Sequence, residues 1–80
     1  MTPNPVMNNS DIQFTIIEDC DVALDIINES GQLIKNLVRG FHKPGTFNVR
    51  LDAHDMNSGV YLVTLKACEQ IAIMKFQVLK

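Results

Sequence analysis

The sequence predicts an all-β fold, an antiparallel β-sandwich, and three observations carry this. Short apolar runs alternate with polar residues at the two-residue period of a strand. Turn-forming residues separate the runs at short intervals. No stretch has the length and caps of a stable helix. The clearest run is Gly59 to Leu65, behind Asn57-Ser58. Glycine reaches backbone angles closed to other residues, so Ser58-Gly59 reads as a turn. Tyr61, Val63 and Leu65 fall on one face, and Val60, Leu62, Thr64 and Lys66 on the other. A strand with one apolar face needs a second layer to cover it.

The other elements follow in order. Thr2-Pro3-Asn4-Pro5 is a stiff lead-in, because proline fixes its own φ and restricts the residue before it. Asn8-Asn9-Ser10-Asp11 is a turn cluster. Ile12 to Ile16 alternates strictly and reads as a half-buried strand. Glu18-Asp19-Cys20-Asp21 reads as an acidic hairpin connection. Val22, Leu24 and Ile26 then share one face of the next strand, and Asn28-Glu29-Ser30-Gly31 is a turn. Gln32 to Arg39 is ambiguous, since Leu33, Ile34, Leu37 and Val38 also fit a helical stripe. The short Gly-terminated turn before it and the lack of an N-cap favour a strand. Gly40 to Gly45 reads as a loop, and Lys43-Pro44-Gly45 as a type II turn. Phe47, Val49 and Leu51 mark another strand, and Asp52 to Ser58 a polar loop. Ala67-Cys68-Glu69-Gln70 turns the chain into a last strand. There Ala72, Met74, Phe76 and Val78 face in, and Lys75 and Gln77 face out. The reading therefore has six strands.

Eighty residues make one small domain, with a net stability of about 4–12 kcal/mol. The composition, 46% hydrophobic and 20% charged, is globular. A net charge of −2 gives no pull towards nucleic acid or an anionic membrane. No apolar run approaches the ~20 residues of a membrane span. The N-terminus lacks the basic end and apolar middle of a signal peptide, so export would need a signal upstream of Met1.

Cys20 and Cys68 have no metal-binding or redox spacing. Two free thiols and a disulfide both fit a count of two. If strand direction alternates, the first, third and fifth connections lie at one end of the sandwich. Cys20 and Cys68 then share that end, and a bridge between them is expected if their Cα atoms come within roughly 7 Å.

Several marks coincide along the chain. Pro3-Asn4-Pro5 precedes the first strand. Val22, Leu24 and Ile26 are followed by Ser30-Gly31-Gln32-Leu33-Ile34. Gly45 opens a strand ending in Leu51-Asp52. Asn57-Ser58-Gly59-Val60-Tyr61 opens the next, and Lys75 lies in a last strand ending in Val78-Leu79-Lys80. In this order, from Pro3 to Lys80, the chain resembles the type A C-terminal sorting domain of proteins exported by the bacterial type IX secretion system. It is also similar to the related Ig-like domain of flagellar hook-capping proteins. The two cysteines and the acidic Glu18–Asp21 turn depart from the pattern. Arg50 departs from the hook-capping relatives, which usually carry Trp there.

The resemblance implies a single Ig-like domain of seven strands over residues 1–80, with residues 1–9 as a lead-in or linker remnant. The seventh strand would lie near Val6 or within Gly40–Gly45. The resemblance also implies a C-terminal module of a larger cargo, recognised by the outer-membrane type IX translocon. A sortase-like protease would cut upstream of the first strand, near or before Thr2, and attach the cargo to the cell surface. The route runs through periplasm and outer membrane to a secreted or surface location. Gly59, Val60, Tyr61, Lys75, Val78 and Lys80 are the candidate recognition residues. Read as structure alone, Gly59 is a turn, Tyr61 and Phe76 are core, and the lysines are solvated. A monomer without cofactor, metal or catalysis is expected. A structural or carbohydrate-associated Ig-like spacer and a hook-cap-like assembly domain are the alternatives.

Other constellations are weaker. Asp52, Asp55 and Asn57 do not match the ligand spacing of a calcium loop. His42 and His54 fall at opposite ends of the sandwich, which disfavours a shared zinc. A nucleophilic Cys20 or Cys68 beside His42 would lack an orienting group and an oxyanion site. No Gly-rich phosphate loop is present, and the one Tyr and four Phe read as core rather than a stacking platform. Thiol titration of the unfolded, unreduced chain should find no free thiol; finding two would exclude the bridge.

Overall fold

The computed structural model describes residues 6–8, 11–52 and 56–79. Seven strands run through them: β1 (Val6–Asn8), β2 (Asp11–Ile16), β3 (Cys20–Asn28), β4 (Leu33–His42), β5 (Gly45–Arg50), β6 (Gly59–Ala67) and β7 (Gln70–Val78). They form two antiparallel sheets, β1-β2-β5 and β4-β3-β6-β7. Constant-type immunoglobulin domains put the fourth strand in the sheet of the first, second and fifth. Here β4 lies instead at the edge of the other sheet, beside β3.

Alternation builds the core. β2 turns Ile12, Phe14 and Ile16 inward, β3 turns Val22, Leu24 and Ile26, and β6 turns Tyr61, Val63, Leu65 and Ala67. The register sets Val22 opposite Ala67, Leu24 opposite Leu65 and Ile26 opposite Val63. These rows face the buried side of β2. Phe47 of β5 stacks on Phe14 at 5.5 Å, and the His42 ring meets Phe47 edge-on at 5.1 Å.

The seventh strand is β1, in the segment read as a lead-in. The Glu18–Asp21 stretch is not a hairpin connection. Cys20 and Asp21 already belong to β3, and β2 and β3 lie in different sheets. A polar turn signal marks where the chain reverses, not which sheet it joins next. Gly40 is not in a loop either; β4 continues to His42, leaving only Lys43-Pro44 before β5. Gly45 has φ 155°, whereas the third residue of a type II turn needs about +80°.

β4 is a strand, and its helix-like stripe has a structural cause. The register passes from Leu24↔Val38 to Asp25↔Asn36, and from Ile26↔Lys35 to Ile27↔Leu33. Leu37 and Ile34 are therefore extra residues, two β-bulges that reset the alternation. The Asp52–Ser58 loop is not wholly polar in its packing, because Met56 is buried in the core. His54 and Asp55 lie outside the described residues, as do Pro3-Asn4-Pro5 and Lys80.

The disulfide Cys20–Cys68, with Cα atoms 5.1 Å apart, ties the start of β3 to the β6–β7 turn. Neither sulfur is then a free nucleophile beside His42. The sequence separation of 48 corresponds to ~4 kcal/mol by the chain-entropy argument. Reduction should therefore lower the unfolding free energy by about 2–4 kcal/mol, seen as a lower urea midpoint. An unchanged midpoint would show that the bridge adds no net stability.

Candidate functional site

β6 and β7 form a hairpin closed by Cys68 and Glu69, with φ of 54° and 64°. Positive φ at both central residues defines the type I′ turn that matches strand twist. Asn-Gly is the usual choice there. In this chain the turn uses two residues with side chains, and one of them is bridged to β3. The hairpin register then runs without a shift over nine pairs, from Ala67↔Gln70 to Gly59↔Val78.

That register brings most of the candidate residues together. Gly59 faces Val78, Val60 faces Gln77, Tyr61 faces Phe76, and Leu62 faces Lys75. Five of the six candidates thus lie at the end of the hairpin remote from the disulfide. Lys80 is the sixth and lies outside the described residues.

The two faces divide the set. Tyr61 and Val78 point into the core, only 7% and 8% exposed. Lys75 is exposed and Val60 half-buried on the outer face. A partner docking on that face meets Val60 and Lys75 directly, while Tyr61 and Val78 act through packing.

Tyr61 has a specific structural task. Its hydroxyl donates to the Asn57 carbonyl at 2.7 Å, and its ring stacks on Phe76 at 5.7 Å. A tyrosine near the start of the sixth strand of an Ig sandwich, bonded back to the backbone just upstream, is a tyrosine corner. The sequence reading missed it. Its signal was the lone Tyr two residues after Gly59. Gly59, at φ 157°, takes a conformation that L side chains rarely adopt and leads the chain into β6. The Asn57–Tyr61 motif is therefore a corner first.

The sheet edges differ. β4 is interrupted by its two bulges, β1 has three residues, and β5 has six. β7 has nine residues, no proline and no bulge, and pairs on one side only, with β6. Ile71 and Ile73 on its outer face are 58% and 63% exposed. Among the described residues no group of His, Cys, Asp or Glu could hold a metal ion.

A two-sheet antiparallel sandwich with a corner tyrosine places this chain among the immunoglobulin-like β-sandwich modules. A comparison with protein-family models is more specific. Residues 1–79 match the secretion system C-terminal sorting domain, and the chain belongs to that family. Its role is that of a sorting signal for type IX secretion, carried at the C-terminal part of a larger exported cargo. No curated protein and no solved structure matches the chain.

Tyr61→Phe removes only the hydroxyl. It should cost about 1 kcal/mol, the worth of one hydrogen bond, plus the penalty of an unpaired acceptor if water cannot reach Asn57. Chemical denaturation measures this, and an unchanged midpoint would mean that the corner bond contributes nothing.

Proposed function

We propose that the translocon recognises this domain through β7, by pairing a strand of its own with the open edge. The observation that supports this is the contrast between the edges. Long, regular, exposed edge strands invite pairing, and proteins usually blunt them with bulges, prolines or charges. β4 is bulged. β7 carries only Lys75 among exposed apolar and amide residues. Strand addition supplies affinity through the main chain and specificity through alternate side chains.

On this reading Lys75 and Val60 touch the receptor, and Lys75 also discourages indiscriminate pairing. Gly59, Tyr61 and Val78 hold the end of the hairpin in shape. Lys80 follows Val78 by two residues in sequence and is part of the same proposed signal. The module binds rather than catalyses. A sortase-like protease then cuts upstream of β1, near or before Thr2, and the cargo is attached at the cell surface.

Two measurements test this. Residues 2–80 fused to a periplasmic reporter, in a host with the type IX translocon, should bring the reporter to the surface; retention in the periplasm would sink the proposal. Ile73→Lys should change stability by no more than about 0.5 kcal/mol, as exposed positions do, yet reduce surface display several-fold. Full display of a folded Ile73→Lys fusion would remove β7 as the docking edge.

A further inference from the structure

The outer face of the β4-β3-β6-β7 sheet carries a second feature. The register aligns Arg39, Ala23, Lys66 and Ile71 in one row across the four strands. Arg39 and Lys66 are exposed, and the short Ala23 lies between them. Neighbouring strands are about 4.8 Å apart, so the two cationic residues start roughly 10 Å from each other. Long side chains on either side of a methyl group leave a depression. An open groove of about 560 Å³ lies there, lined among others by Asp21, Ala23, Arg39, Lys66, Glu69 and Ile71.

The charges in this groove are not used by the fold. Among the described residues neither the Arg39 nor the Lys66 side chain makes a hydrogen bond or ion pair. Lys35 differs, since its Nζ donates to the Asp52 carbonyl at 2.8 Å. Asp25, in the neighbouring row, accepts from Asn36 Nδ2. Two cations flank a small floor, and neither is bonded to a carboxylate, so each keeps its donors for an anionic group that enters between them.

The surroundings select the kind of anion. Asp21 and Glu69 also line the groove. They offset the two cations, so the groove has no surplus charge to draw in a doubly charged phosphate, and a single carboxylate is held by direct contact with Arg39 and Lys66. Ile71, Ile73 and Phe41 are 58%, 63% and 62% exposed on the same face, and they favour an anion carried between apolar groups. The net charge of −2 supplies no field towards an anionic bilayer. We propose that the groove over Ala23, between Arg39 and Lys66, takes an acidic side chain of a protein partner whose neighbouring apolar residues cover Ile71 and Ile73. The groove lies on the sheet face rather than its edge, so this holds whether or not β7 is paired.

The 80-residue chain and a fluorescein-labelled octapeptide alternating glutamate with valine test it. Anisotropy should show binding, and amide shifts should centre on Ala23, Arg39, Lys66 and Ile71. The double variant Arg39→Gln, Lys66→Gln should bind roughly fivefold to tenfold more weakly, the worth of two exposed charge pairs. Arg39→Glu, Lys66→Glu should instead prefer the same peptide with lysine for glutamate, which separates charge recognition from damage to the fold. Four outcomes would overturn the proposal. They are equal binding of this peptide and of one with glutamine for glutamate, binding of neither, no switch in the charge-reversed variant, or a stronger response at this groove to inorganic phosphate or phosphatidylglycerol vesicles.

Discussion

The pairing of β3 with β6 is the constraint on which the rest of the structure depends. These are the two interior strands of the four-stranded sheet, and each has neighbours on both sides. Their register stacks three buried pairs, Val22 with Ala67, Leu24 with Leu65 and Ile26 with Val63. A slip of one residue would turn every one of these side chains to solvent. With that register fixed, β4 and β7 have only one place each to add. The Cys20–Cys68 bridge forms at one end of the pair and the Tyr61 corner at the other.

On the proposed reading, recognition and stability meet at the corner end. The residues that the sorting-domain resemblance singles out are also those that shape the start of β6 and the end of β7. Tyr61 is bonded to Asn57 and stacked on Phe76, and Val78 sits against the core. If these residues form the signal, it exists only in the folded domain, because the β6–β7 register that juxtaposes them forms only then. The outer face is freer. Val60 and Lys75 sit on it without a core role, as do Ile71 and Ile73.

What the sequence revealed depended on whether the pattern was local. β2, β3, β6 and β7 alternate strictly, and their inward residues were legible one by one. β4 was ambiguous because the bulges at Ile34 and Leu37 place apolar residues side by side, which imitates a helical stripe. β1 has three residues and no room for a period. The β2–β3 connection was misread because sheet membership is settled by distant partners, not by Glu18-Asp19. Met56 was hidden in a polar loop whose one apolar side chain reaches the core. Of the candidate site, the nearness of Gly59–Tyr61 to Lys75–Val78 followed from the last hairpin. The tyrosine corner did not, because it needs the path of the chain before Gly59. Nor did the Arg39–Lys66 groove, whose two charges come from strands that meet only through β3.

The disulfide also changes what kind of object the domain is for a pore. Residues 20 to 68 form a covalently closed ring. A ring cannot be threaded as one extended strand; at its narrowest it passes as two strands abreast. If it travels folded, it presents a body of 37 × 23 × 19 Å. While the bridge is intact, a conduit that admits only a single polypeptide is closed to this domain, and one wide enough for the sandwich can carry it with its strand edge and outer face already assembled.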